Sequence, residues 1–195
     1  MGRILTWKRI VGLDPGTHTS SVVEIVRREG VVDGNPWIPD ESRTFHNARM
    51  GEWLAQRSFT DQSVLLAMEH MAPRPRKPSG WDTFKTIWWT GWFAAKWYNQ
   101  YTTLARQHVC GQLTHDTRAT KGKVNNAIIA RYGKPGTTAD PGWLFGIHDH
   151  EWDALAIALV IADYIEGGCT WVDTSRERGI ERDETKRRRS TKARG

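Results

Sequence analysis

Three stretches of this sequence set acidic side chains against apolar runs. RIVGLDPGTHTSSVVEI carries Asp14 where its first run stops, SVLLAMEHM carries Glu69 near its end, and HDHEWDALAIALVIADYI opens with Asp149, His150 and Asp153. A carboxylate at the end of a buried strand is costly unless it is paired, hydrogen-bonded or bound to metal. Each stretch has an ordinary explanation by itself. Asp-Pro-Gly is common turn chemistry, Glu69 can be a partnered or exposed strand end, and acids at a helix start complement its dipole. Together, two strand-end acids and an acidic helix start can converge at one end of a sheet. His150 and Asp153 are three apart and Asp149 and Asp153 four apart, so within a helix both pairs share a face, with His148 less well aimed. Several hard, negatively charged oxygen donors suit Mg²⁺ or Mn²⁺. Two such ions about 4 Å apart activate a water and stabilise the leaving oxygen in phosphodiester cleavage.

The elements that must position these residues follow from periodicity. RILTWKRIVGLD reads as a strand and SSVVEIVRRE as its antiparallel neighbour across a short turn, with a third short strand around 43–46. ARMGEWLAQRSF has helical spacing, with Met50, Trp53 and Leu54 on one face. SVLLAMEHM is a continuous apolar run of strand length, expected to be buried on both sides. APRPRKPSG then interrupts with three prolines and the basic residues Arg74, Arg76 and Lys77: a surface loop, and a candidate DNA contact. WDTFKTIWWTGWFAAKWYNQY reads as a long aromatic helix with Asp82 as N-cap. Trp81, Trp88 and Trp92 lie along one side and Trp89, Phe93 and Trp97 along a neighbouring one. A helix apolar on two sides needs two partners, its own sheet and, as the candidate for the other, a second subunit. RQHVCGQL reads as another strand, and TRATKGKVNNAIIARYG as an amphipathic helix with Val124, Ala127 and Ile128 inward and Gly133 at its end. HDHEWDALAIALVIADYI is the last helix. Strands first, then helix and strand in alternation, describe an α/β fold with a mixed sheet flanked by helices.

The 195 residues suit one domain with a tail. The net charge of +6 is concentrated at the end: residues 174–195 hold nine Lys or Arg against four Asp or Glu. A domain over 1–173 and a basic, disordered tail over 174–195 are therefore expected. Lys186, Arg187, Arg188 and Arg189 in that tail are candidates to neutralise phosphates and release counterions. Eleven tryptophans supply rings for core, interface or base stacking, and Trp81 and Phe84, nearest the basic loop, are the candidate DNA-contacting rings. Two distant cysteines, Cys110 and Cys169, make neither a disulfide framework nor a zinc site. No apolar run is long enough to span a bilayer, so no membrane association is expected and a reducing cytoplasm is the expected compartment.

IVGLDPGTHTS, LLAMEHM, TRATKGKV and HDHEWDALAIAL resemble, in that order, the motif blocks of the RuvC family of Holliday-junction resolvases. The resemblance runs from about residue 9 to 164, and the first and last blocks are its most specific parts. It implies an RNase H-like fold with a five-stranded mixed sheet, a homodimer, and Mg²⁺-dependent symmetric nicking of two strands of a four-way DNA junction. Two ions per site are implied, with Mn²⁺ able to substitute, and products with a 5′-phosphate and a 3′-hydroxyl. By the same resemblance Asp14, Glu69, His150 and Asp153 hold the metal, and Lys121 stabilises charge on the scissile phosphate. Asp149 has no counterpart and is kept as a reserve ligand. Arg118 and Lys123, beside Lys121, are expected DNA contacts. The chain departs from the family in three places: Ala72 stands where an aromatic wedge is common, Cys110 falls near the position of a second basic residue for which Arg106 or Arg118 are the substitutes, and the basic tail is extra. Bacteriophage members share such departures and cut branched DNA less selectively, so a phage origin, acting in the cytoplasm of a bacterial host, is expected.

Three other readings stand beside this one. A nuclease of broader flap and fork preference has the same sequence signature. A module that grips junctions without cutting is possible on the same fold, although the expected ligand positions all hold competent residues. DPGTHTS also resembles the first phosphate loop of actin-like sugar kinases, but those need two domains and a longer chain.

Overall fold

The computed structural model describes residues 7–30, 35–71 and 80–167. The basic loop residues Arg74, Arg76 and Lys77, the boundary expected at 173/174 and the basic tail with Lys186 to Arg189 lie outside them. Pro15 and Gly16 open the reversal of the chain between β1 (Arg9–Asp14) and β2 (Thr19–Arg27), which pair antiparallel with Asp14 opposite Ser21. β3 (Trp37–His46) adds to β2, again antiparallel. α1 (Asn47–Thr60) follows, and the chain re-enters the sheet as β4 (Val64–His70), parallel to β1. α2 (Trp81–Lys96) leads to β5 (Tyr101–Ala105), parallel to β4. Three helices complete the fold: α3 (Arg106–Thr114), α4 (Lys121–Tyr132) and α5 (Glu151–Glu166). The sheet order is β3-β2-β1-β4-β5, the RNase H-like α/β arrangement. The first compact unit, residues 1–163, holds the entire sheet; of the second, 164–195, the described residues are the end of α5 and the one that follows it.

Alternation along the central strands gives the sheet two apolar faces. Val11, Leu13, Val22, Leu66 and Met68 pack with Met50 and Leu54 of α1, with Phe93 of α2 and with Trp97 at its C-cap. The opposite face of β1 is cut away at Gly12. A Cβ there would sit 2.0 Å from the carbonyl oxygen of Ala154, so the start of α5 lies directly on the strand. α5 is buried along nearly its whole length, from Glu151 through Ala162, as a helix apolar all round must be. Polar ties hold it on several sides: Thr44 of β3 donates to Glu151 at 3.2 Å, and Arg131 of α4 meets Asp163 at 2.8 Å. α1 and α2 fit by a similar notch, since a Cβ on Gly51 would lie 1.9 Å from the Trp92 ring.

Several elements differ from the sequence expectation. RQHVCGQL is helix α3, not a strand. The fifth strand is the β-favouring YTTLA just before it, and in α3 the adjacent Val109 and Cys110 are both buried while Thr114 bonds back to the Cys110 carbonyl at 2.7 Å. The third strand runs from Trp37, well before 43–46. Pro39 obscures it, and the edge position with a register shift opposite Glu24 and Ile25 tolerates that proline. Asp82 is not the N-cap of α2; Gly80 is, and Asp82 lies in the first turn. That helix stops at Lys96, short of Tyr101. The last helix begins at Glu151, so His148, Asp149 and His150 precede it, and Asp149 has a left-handed φ of 41°. Of the two aromatic sides, Phe93 of α2 and Trp97, the residue that caps it, are buried, whereas Trp81 and Trp88 are exposed. Among the described residues no helix is long and apolar enough to cross a membrane.

Candidate metal centre

The parallel strands β1, β4 and β5 all end on the same edge of the sheet, where open α/β sheets place their ligands. Asp14 is the last residue of β1, and its backbone is fixed by the turn that follows. Gly16 N donates to Ser20 Oγ at 3.1 Å, Asn47 Nδ2 donates to the Gly16 carbonyl at 3.0 Å, and Ser20 Oγ donates to Asn47 Oδ1 at 2.7 Å. A side chain on Gly16 would meet the Thr19 carbonyl at 2.1 Å, which explains the glycine. Glu69 sits one residue past the Leu13–Met68 pair of the β1–β4 ladder, beside the end of β1. Gly12 brings Ala154 onto the strand and with it the preceding residue, Asp153, in the first turn of α5.

Asp14, His150 and Asp153 each offer a ligand atom, and these atoms all lie within 4.8 Å of one another. His150 Nδ1 is 3.0 Å from Asp14 Oδ2 and 3.9 Å from Asp153 Oδ2. The His150 ring is largely in solvent, whereas the Asp153 carboxylate is nearly buried. Two cations hold Asp153: Arg106 Nη1 donates to Oδ1 at 2.9 Å and Lys121 Nζ to Oδ2 at 2.8 Å. Arg106 also reaches Glu69 Oε2, at 3.6 Å.

Electrostatics separates the three acids. Burial drives the Asp14 carboxyl up from its ordinary value, and the charge of Asp153 adds to this against the pull of His150. Glu69 is pushed up to about 7 by burial and then by the charge of Asp14, with Arg106 opposing. Burial acts in the same direction on Asp153, but the hydrogen bonds from Lys121 and Arg106 outweigh it and hold this carboxyl below its usual range. Raised values at Asp14 and Glu69 reflect burial first and the neighbouring negative charges second. Two carboxylates and an imidazole nitrogen form a donor set that a divalent ion such as Mg²⁺ or Mn²⁺ fits. Glu69 lies outside the group of three and faces it across Arg106.

The remaining expected residues are dispersed. Asp149 is exposed and outside both the helix and the group of three. Lys121 is brought to the site. Lys123 pairs instead with Asp116 at 3.1 Å, and the Arg118 backbone N donates to the same carboxylate at 2.9 Å. Arg106, one of the two substitutes considered for a second basic residue, is at the site because it directly follows β5. Trp81 and Phe84 are exposed on α2. The positioning role of Gly12 was missed. A glycine two residues before a strand-end aspartate, inside an otherwise bulky run, was the available signal.

No family model and no curated protein matches this sequence. Solved structures do match its fold. Thermus thermophilus RuvC superposes with a TM-score of 0.61 at 17% identity, over 82% of this chain and 96% of that one. The same T. thermophilus protein in complex with a Holliday junction substrate gives 0.58 at 16% identity, over 83% and 96%. A yeast mitochondrial Holliday junction resolvase gives 0.54 at 12% identity, over 82% and 81%. The chain thus shares the fold of RuvC and related resolvases at low sequence identity.

Proposed function

We propose that this protein is a metal-dependent endonuclease that resolves four-way DNA junctions by paired symmetric nicks. The observation that carries the proposal is the convergence of Asp14, His150 and Asp153, with Lys121 and Glu69 beside them, on the strand-end edge of an RNase H-like sheet. The similar T. thermophilus fold in complex with a Holliday junction supports the choice of substrate.

Asp14, Glu69, His150 and Asp153 would hold the two divalent ions, with Asp14, His150 and Asp153 already within ligand distance of one another. Bound there, such ions acidify a water and stabilise the leaving oxygen. The chain's own groups do the rest. β1 and the start of α5 are rigid, so the carboxylates keep their spacing without substrate. Lys121 presents an ammonium beside Asp153, in place to offset charge gathering on the phosphate oxygens in the transition state. The water oxygen bonds to phosphorus, the bond from phosphorus to the 3′ oxygen breaks, and that oxygen takes up a proton, leaving a 5′-phosphate and a 3′-hydroxyl. Symmetric nicking needs two sites, so the active form is a homodimer.

The test is cleavage of a labelled synthetic four-way junction in Mg²⁺, beside flap, fork and linear duplex. Paired symmetric nicks are expected. Asp14→Asn should reduce them by about 10³-fold or more, the scale on which loss of one member of a concerted set acts. Equal cutting of flaps and forks would make the enzyme a general debranching nuclease. Tight binding with no cutting in Mg²⁺ or Mn²⁺ would reduce it to a junction-binding module.

A further inference from the structure

We infer that Arg106 is a resident cation of the site, bridging Glu69 and Asp153, so that an ion using Glu69 as a ligand enters only when the guanidinium swings out. The inference rests on the metal-dependent reading above and concerns one residue of this chain.

The geometry is specific. One nitrogen, Nη1, lies 2.9 Å from Asp153 Oδ1 and 3.6 Å from Glu69 Oε2, so a single positive group serves both carboxylates. Asp153 has its other oxygen on Lys121, at 2.8 Å. Arg106 is the first residue of α3, set directly after the end of β5, and its side chain is 41% exposed. The head is therefore anchored at the sheet edge yet has an open path to solvent. Its departure breaks the hydrogen bond to Asp153 and the contact with Glu69, and no covalent bond.

Charge makes the two occupants exclusive. When all three are ionised, as metal binding requires, Asp14, Glu69 and Asp153 bring three negative charges, and Arg106 and Lys121 two positive ones. One divalent ion at Asp14, His150 and Asp153 already turns the balance positive. A second beside an undisplaced guanidinium would place like charges within a few ångströms in a partly desolvated pocket, where water screens them poorly. Once displaced, the planar guanidinium matches a phosphate better than an ammonium does. The phosphate of an incoming DNA strand is the anion that would draw it out, which ties completion of the metal set to substrate.

Mn²⁺ binding to the DNA-free protein tests this, with bound ion counted by electron paramagnetic resonance and affinities measured by calorimetry. The wild-type chain should bind one Mn²⁺ well and a second poorly. Arg106→Gln should tighten the second site by about ten-fold or more, the scale of removing a like charge at this range. Arg106→Lys, which keeps the charge on a shorter side chain and so holds it less well between the two carboxylates, should fall between. Arg106→Gln combined with Glu69→Gln should lose the gain. Thermal unfolding gives an independent reading: Arg106→Gln should melt lower in EDTA and gain more from Mn²⁺ than the wild type. If that variant does not fold, Arg106→Lys decides, and a wild-type Mn²⁺ curve from it overturns the inference. An unchanged second site in Arg106→Gln, while Asp14→Asn removes the first, overturns this inference and leaves the metal reading standing. Equal Mn²⁺ binding by wild type and Asp14→Asn removes both.

Discussion

At the scale of single residues, Glu69 makes the most distinctive prediction. Its carboxyl titrates at about 7 in the folded chain, against an ordinary glutamate value of 4.5. Between those values the folded protein keeps a proton that the unfolded chain has lost. Stability must therefore fall as pH rises through that window. Melting of the metal-free protein should decline between about pH 5 and pH 8. Glu69→Gln should flatten the decline and raise the melting temperature at the upper end, and saturating Mn²⁺ should do the same for the wild type. A Glu69→Gln profile parallel to the wild type would show that the charge is not strained there. Asp153 goes the other way: with Arg106 and Lys121 on its two oxygens its carboxyl is held below the usual range, so it offers charge to a metal at neutral pH.

At the scale of elements, one contact sets the position of the site and another the stability of the sheet. Gly12→Ala would drive a methyl into the Ala154 carbonyl of α5, 2.0 Å from where the Cβ must sit. Backbone has to move, at a cost of about 1–3 kcal/mol as for other overpacked positions. Because the next residue back along α5 is Asp153, Mn²⁺ affinity should drop even in molecules that remain folded. Urea unfolding and Mn²⁺ titration of the same preparation check both halves. The second contact lies in β2, where Glu24, opposite Val11 of β1, is 2% exposed and is held by Arg57 at 2.7 and 2.9 Å and by Arg9 at 2.5 Å. Burial alone would raise this carboxyl, but the hydrogen bonds from the two guanidiniums hold it below 4.5. Its contribution is present above the unfolded value and is lost as pH falls through the lower, folded one. Glu24→Ala should destabilise the fold by about 3 kcal/mol at neutral pH, the lower end for breaking a buried ion pair because both arginines keep contact with water. The difference should shrink on acidification, read by urea denaturation.

At the scale of the whole molecule, the outer face of α2 is the feature the single chain does not use. Trp81, Phe84 and Trp88 follow helical spacing and are 72%, 56% and 60% exposed. Trp89, Trp92 and Phe93 beside them are packed on one another, with Trp89 and Phe93 stacked at a centroid distance of 5.9 Å, so the helix is well anchored from within. Replacing Trp81 and Phe84 together by alanine should leave stability within about 0.5 kcal/mol, as for exposed positions. It should weaken junction binding by about 1–3 kcal/mol for each base lost from a stacking partner. Electrophoretic mobility shifts against thermal melting separate the two effects. Unchanged affinity would return these rings to an interface role, to be read from sedimentation of Trp88→Ala.

Local patterning determined much of this protein. The apolar runs of β1, β2 and β4 are visible in the sequence, as are the reversal at Pro15 and Gly16 and the predominantly apolar α5, because strand alternation and helical spacing are local properties. The acids that matter were visible too, since Asp14, Glu69 and Asp153 each end or begin an apolar element. The fifth strand and α3 were not legible, because YTTLA and RQHVCGQL are short and carry little periodicity, and which is strand depends on pairing with β4. Asp149 looked helical from its spacing, yet the chain takes a left-handed turn there before α5 begins. Only the tertiary structure decided which side chains meet. The parallel pairing of β1, β4 and β5 carries Glu69 and Arg106 to the end of the sheet where Asp14 sits, and the missing side chain of Gly12 lets α5 lay Asp153 against them. Convergence of this kind is set by strand order and by how closely two backbones approach, and neither quantity is written in the spacing of residues along one element.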